Sequence, residues 1–101
     1  MSAVDLRLEE LYELCRRYHV TRLELYGSAA EGRFDPETSD LDFLVEFEDL
    51  EPVAYADAYF GLLEALEALF GRSVDLTVAS AVTNPYFLRR IAHSRVTLFA
   101  A

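Results

Sequence analysis

The sequence has no lysine, no glutamine and no tryptophan, and it has a single cysteine and a single asparagine. Its nine cations are all arginines, a bias that fits a thermophile or a GC-rich genome and decides nothing about function. One cysteine, Cys15, cannot close an internal disulfide, so a reducing compartment is expected. Cys15 falls on the apolar stripe of the first predicted helix, where a thiol packs as a small hydrophobe. There is no basic start followed by an apolar signal segment, and the longest apolar stretches are broken by Asp57, Glu64 and Glu67. A soluble, cytoplasmic protein that makes no use of a membrane is expected. Positive charge is scarce: nine arginines face 18 acids, for a net charge of −9. That balance argues against direct binding of a duplex or a tRNA.

What is present is apolar and acidic. The 101 residues are 52% hydrophobic, with seven Phe and six Tyr, which predicts one folded domain spanning residues 1–101 rather than a disordered tail. A chain of this size buries roughly 60% of its unfolded surface. The composition is slightly apolar for so small a domain and leaves surface for a partner. Twelve acids lie between Glu31 and Glu67, with Arg33 the one cation among them. Much of that block, Glu48, Asp49 and Glu51 included, reads as a solvated face.

Ser2 and Asp5 form a capping box, and Val4, Leu8, Leu11, Cys15 and Tyr18 repeat at helical spacing. This predicts a first helix over residues 3–18. VTRLELYG alternates as a strand with Leu23 and Leu25 inward, stopped at Gly27. SDLDFLVEFE is a second strand, with Leu41, Phe43, Val45 and Phe47 on one face and Asp40, Asp42, Leu44 and Glu46 on the other. A second helix follows from Pro52 to just before Gly71, with Phe60, Leu63, Leu66 or Glu67, and Phe70 as its buried stripe. SVDLTVAS is a third strand that places Asp75 and Thr77 on its polar face. Asn84-Pro85 opens a short helix over 85–92, and RVTLFA is a last strand. The order predicts an α/β (α+β) domain: a small mixed β-sheet with helices packed mainly on one face, and carboxylates at the strand edge or on the less covered side.

The chemistry concentrates in GSAAEGRFDPETSDLDFLVEF, residues 27–47. Asp40 and Asp42, at i and i+2 of a strand, point the same way and repel each other. Asp75 sits on the polar face of a strand that can pair beside them. Three such oxygen donors suit a hard cation such as Mg²⁺, and a carboxylate bridging two ions about 3.5–4 Å apart is the usual device of two-metal sites. Gly27-Ser28 leaves the first strand into a short helical turn, where glycine admits a phosphate to the backbone and Ser28 adds a hydroxyl and an amide. A phosphate site at one strand end beside a metal site on the next makes a nucleoside-triphosphate site. Arg33 fits a phosphate contact as well as it fits a solvated arginine.

A GS pair, eleven residues, DLD and a later lone Asp on a strand resemble the nucleotidyltransferase family of the DNA polymerase β superfamily. More narrowly, the chain is similar to the minimal nucleotidyltransferases of prokaryotes, stand-alone cores of about this length. The similarity covers most of the chain, and the NPYFLRRI…SRVTLFA ending belongs to it. The commoner family spacing from GS to the first Asp is ten residues. The extra one falls in the FDPET turn, where insertion costs little. The resemblance implies the nucleotidyltransferase fold, with Gly27 and Ser28 on the β- and γ-phosphates of ATP and Asp40 and Asp42 on two Mg²⁺ ions, for which Mn²⁺ can substitute. Asp75 would complete the shell of the catalytic ion and help deprotonate the acceptor. It also implies a partner, because minimal nucleotidyltransferases commonly act as antitoxins of HEPN-domain ribonucleases, some by adenylylating a tyrosine of the toxin. A homo- or hetero-oligomer fits that setting.

Other readings compete. Asp35, Glu37, Ser39 and Glu46 match EF-hand positions one, three, five and twelve, but position six is Asp40 where the turn requires glycine. An idle module that neutralises a toxin by contact would not need Gly27, Ser28, Asp40, Asp42 and Asp75 together. An aminoglycoside nucleotidyltransferase would suit the acidic block but normally carries a further substrate domain. His19 and His93 read as helix-end residues, and Tyr55 and Tyr59 as core or interface.

Overall fold

The computed structural model describes residue 4, residues 7–27, residue 30 and residues 40–101. Its elements run α1 (Leu8–Arg17), β1 (Val20–Tyr26), β2 (Leu41–Phe47), α2 (Pro52–Phe70), β3 (Val74–Val78), α3 (Pro85–Ile91) and β4 (Val96–Ala100), with a 3-10 turn over Ala79–Ala81. The four strands form one mixed sheet in the order β3-β2-β1-β4. β1 is antiparallel to both neighbours, β2 and β4, while β2 and β3 run parallel. A parallel pair needs a long crossover, and α2 supplies it.

Strand periodicity sets the two faces. Leu23, Leu25, Phe43, Val45 and Leu76 point to the side covered by Leu11 and Cys15 of α1 and by Leu62 and Leu66 of α2. Phe43 is fully buried there and stacks on Phe70 at 6.1 Å. The opposite face carries a smaller cluster, in which Tyr26 and Leu44 meet Ile91 and Phe87 of α3. The two long helices therefore share one face, and the short third helix covers part of the other.

Two expectations need correction. The first helix begins later than residue 3. Val4 lies in a turn whose carbonyl accepts the Arg7 amide at 3.0 Å, and α1 starts at Leu8. Val4 is nonetheless buried, so the apolar period reaches beyond the first turn of α1. The proposed cap, Ser2 and Asp5, lies outside the described residues. α1 instead places Glu9 and Glu10 in its first turn and Arg16 and Arg17 in its last, which complements the helix dipole.

The buried stripe of α2 is also rotated from the expected one. Phe60 is 60% exposed, whereas Ala58, Leu62 and Leu66 are buried. A helix apolar on nearly every side gives periodicity little to choose from. Tertiary contacts choose instead. The Tyr59 hydroxyl donates to the Leu76 carbonyl at 2.6 Å. Gly61 faces Tyr18, with a Cβ there 2.5 Å from the ring, so only glycine lets α2 approach the end of α1 so closely.

Cys15 is packing, as expected: burial pushes its thiol up to about 12, although Arg16 works the other way. His19 forms the turn between α1 and β1 with φ 61°, and its carbonyl accepts the Glu48 amide. Among the described residues no helix is long and apolar enough to cross a membrane.

Among the described residues, the second face holds an ion cluster around Glu24. Glu24 of β1, only 4% exposed, accepts two hydrogen bonds from Arg95, at 2.6 and 3.1 Å, and lies 3.3 Å from Arg22. Burial alone would raise the Glu24 carboxyl, but the Arg95 hydrogen bonds and charge outweigh it and hold it below the usual range. A depressed carboxyl stabilises the fold above its ordinary pKa, and that stability is lost as pH falls through the lowered value. Glu24→Gln should therefore cost about 1.5–3 kcal/mol at neutral pH, and melting curves of variant and wild type should converge in acid. A constant gap across pH would rule this account out.

Candidate active site

The site grows from the C-terminal end of β1 and the N-terminal ends of β2 and β3. Because β1 and β2 are antiparallel, Tyr26 stands opposite Asp42. Because β2 and β3 are parallel, Asp42 stands opposite Asp75. Both aspartates occupy the face that the α1–α2 layer leaves open, since Leu41, Phe43, Val74 and Leu76 alternate to the other side. Asp42 is half-buried, Asp75 is exposed, and Asp40 is exposed just before β2 begins.

Asp42 is the electrostatic centre of the group. Burial pushes its carboxyl above the usual range, and the neighbouring charges of Asp75 and then Asp40 push it further. The structure thus brings Asp42 and Asp75 together by register and leaves Asp40 within their field. Among the described residues no three carboxylate, histidine or cysteine side chains close on one point as a finished metal cage. Oxygen donors under mutual repulsion still suit a hard cation, since Mg²⁺ commonly takes one or two carboxylates and fills its shell with water and phosphate.

Gly27 follows β1 in the left-handed region at φ +76°. A Cβ at this position would lie 2.6 Å from Oδ2 of Asp42. Glycine is required here by packing, because the carboxylate of Asp42 occupies the space a Cβ would take. The Gly27 amide donates a long 3.4 Å hydrogen bond to Oγ of Ser94, whose hydroxyl in turn donates to the Ile91 carbonyl. The turn is thereby tied to the end of α3. Ser28 and Arg33, both expected at the phosphates, lie outside the described residues, as do Asp35, Glu37 and Ser39 of the calcium-loop alternative.

Sequence reading missed four contributors on this face. Tyr26 packs edge-on against Phe87 at 5.7 Å. Burial raises its phenol above the ordinary value, and Asp75 and Asp42 add to that, while a hydrogen bond with Thr77 and the charge of Arg90 oppose it. Thr77 shares a strand face with Asp75, already singled out by alternation, and Tyr26 stands opposite Asp42 in the β1–β2 ladder. Ser94 and Arg90 reach the site only because α3 folds back on this face, which no local pattern announces.

A family model described as "Nucleotidyltransferase domain" matches residues 8–98. The chain belongs to the nucleotidyltransferase-domain family. It is an enzyme of that family. A Methanocaldococcus jannaschii protein described as a protein adenylyltransferase is 34% identical over 92 residues, covering 83% of this chain and 90% of that one. The protein adenylyltransferase MntA of Thermococcus cleftensis is 37% identical over 70 residues, covering 69% and 67%. Among solved structures, one of a minimal nucleotidyltransferase superposes with a TM-score of 0.74 at 31% identity, covering 95% of both chains. A complex of tri-AMPylated Shewanella oneidensis HEPN toxin with MNT antitoxin superposes with a TM-score of 0.65 at 18% identity, covering 96% of this chain and 72% of that one. At that identity the likeness shows the shared nucleotidyltransferase fold.

Proposed function

We propose that this nucleotidyltransferase is a protein adenylyltransferase that moves AMP from ATP to a tyrosine hydroxyl of a HEPN-type toxin, and so serves as its antitoxin in the cytoplasm. The observation that carries the reading is the register of Asp42 opposite Asp75, beside a left-handed Gly27 where a Cβ would collide with the Asp42 carboxylate. The names of the relatives support the acceptor class, and a structural neighbour at a TM-score of 0.68 is a toxin–antitoxin complex with AMP-PNP.

Asp42 and Asp75, with Asp40 beside them, would hold Mg²⁺ or Mn²⁺, two ions in the fuller form of the site. When bound, the metal supplies positive charge that neutralises the triphosphate and lowers the pKa of the acceptor hydroxyl. The remaining work falls to the chain. Gly27 and Ser28 orient the triphosphate beyond the end of β1. Asp75, exposed on an edge strand, can receive the phenolic proton on a carboxylate oxygen as the tyrosine oxygen attacks the α-phosphorus. The new O–P bond forms as the bond to the β-phosphate oxygen breaks, and pyrophosphate leaves. Exposed Val53, Phe60 and Tyr86 provide apolar surface for a protein that brings the tyrosine. The adenylate would block the ribonuclease by bulk and by charge where RNA phosphate must sit.

Incubation with a HEPN toxin and labelled ATP, followed by mass analysis of both proteins, tests the reading. AMP is expected on a toxin tyrosine. The Asp40→Asn/Asp42→Asn double variant should transfer none and fail to rescue growth, although the pair still co-purifies. Full rescue by that variant would mean neutralisation by contact alone.

A further inference from the structure

We infer that Arg90 is a phosphate-binding residue of this site, gripping the β- and γ-phosphates of the nucleoside triphosphate and the pyrophosphate they become. The inference rests on the nucleotidyl-transfer reading above and adds to it a residue from the C-terminal third of the chain.

The placement follows from a short chain of contacts. Asp42 stands opposite Tyr26 in the β1–β2 ladder. The Tyr26 ring meets the edge of Phe87 at 5.7 Å, and the Arg90 guanidinium lies over Phe87 at 5.6 Å. Phe87 and Arg90 are three apart on α3 and therefore share its site-facing side. Ile91, next in sequence, is buried against Tyr26 and Leu44. Arg90 is thus anchored on the carboxylate face while its head remains exposed.

Neighbouring arginines are otherwise employed. Arg95 is consumed by Glu24 in a bidentate pair. Arg89 lies over the ring of Tyr86, which is 74% exposed and turned outward. Arg90 is ion-paired to none of the described carboxylates, and its described contact is the face of an aromatic ring. A stacked guanidinium keeps its whole donor fork available, and that planar fork matches phosphate oxygens two at a time. In a chain of net charge −9 whose site sets Asp42 opposite Asp75, a tetra-anionic ligand needs positive charge from the protein as well. Departure of pyrophosphate concentrates negative charge on the leaving oxygens, so a cation held there favours the transition state over the ground state.

Arg90→Ala, Arg90→Lys and wild type should be titrated by calorimetry with AMP-PNP, pyrophosphate and AMP, with Mg²⁺ present. Arg90→Ala should weaken AMP-PNP and pyrophosphate by about ten- to a hundred-fold and leave AMP within a factor of about two. Arg90→Lys should recover part of the loss, because it restores charge without the fork. Unchanged AMP-PNP affinity in Arg90→Ala, or an equal loss for AMP, overturns the assignment, the latter because it marks a general disturbance of the site. Failure of wild type itself to bind AMP-PNP overturns the nucleotidyl-transfer reading, a distinct result.

Discussion

Asp42→Asn should silence AMP transfer while making the unliganded protein no less heat-stable than wild type. The folded state raises the Asp42 carboxyl through burial and the charges of Asp75 and Asp40. A raised carboxyl binds its proton more tightly when folded. It therefore lends stability below its ordinary range, and that stability drains away as pH rises through the raised value. At neutral pH the charged form is a burden on the fold, and the near-isosteric amide removes it. Turnover should fall by at least about a hundred-fold, the usual consequence of deleting one preorganised electrostatic group. Asp75→Asn should lose turnover as severely and keep nucleotide binding, since Asp75 is exposed and in the proposed reaction takes the acceptor's proton. Melting temperature and AMP transfer, measured on the same preparations, decide the matter. A clear drop in the Asp42→Asn melting temperature would show that the carboxylate is structural, and Asp75→Asn turnover within a few-fold of wild type would remove Asp75 from the chemistry.

Gly27→Ala is the second large effect. Left-handed backbone at φ +76° costs a residue with a Cβ about 1–2 kcal/mol. The added methyl would also stand 2.6 Å from Oδ2 of Asp42. An aspartate can swing its carboxylate aside, so the fold survives, but the carboxylate leaves the position that faces Asp75. Activity should fall as far as in Asp42→Asn, with a melting temperature lowered by a few degrees. A coupling test isolates the clash from the backbone strain. In an Asp42→Ala background, Gly27→Ala should cost less stability than in wild type, because one of two interfering groups is gone. Equal costs in both backgrounds would mean that the glycine serves the backbone alone.

The strands were legible because alternation survives in them. Leu41-Asp42-Phe43 and Val74-Asp75-Leu76 each state which face is core, and two carboxylates on like faces imply a shared site once the strands pair. Asn84 was legible as a cap, and its side chain accepts the Tyr86 amide at 2.9 Å. The orientation of α2 was not, because Phe60 and Leu62 are equally apolar and distant contacts, Tyr59 with Leu76 and Gly61 with Tyr18, separate inside from outside. The folding of α3 onto the carboxylate face was not legible either. That packing is set by Ile91 and Phe87 against Tyr26, a contact between residues some sixty positions apart. Arg90 and Ser94 were hidden with it.

The parallel pairing of β2 with β3 carries a consequence for the order of assembly. Asp42 lies on an interior strand held on both sides, whereas Asp75 lies on a five-residue strand at the margin of the sheet. Its place is reached only after the chain has run through the whole of α2. As the polypeptide leaves the ribosome, the β1–β2 hairpin and its two aspartates are present well before the segment that completes the constellation. Joining distant segments in parallel is also the slower kind of pairing. Competence for chemistry is therefore a late property of the maturing chain: no nascent fragment ending before Val74 holds the opposed carboxylates.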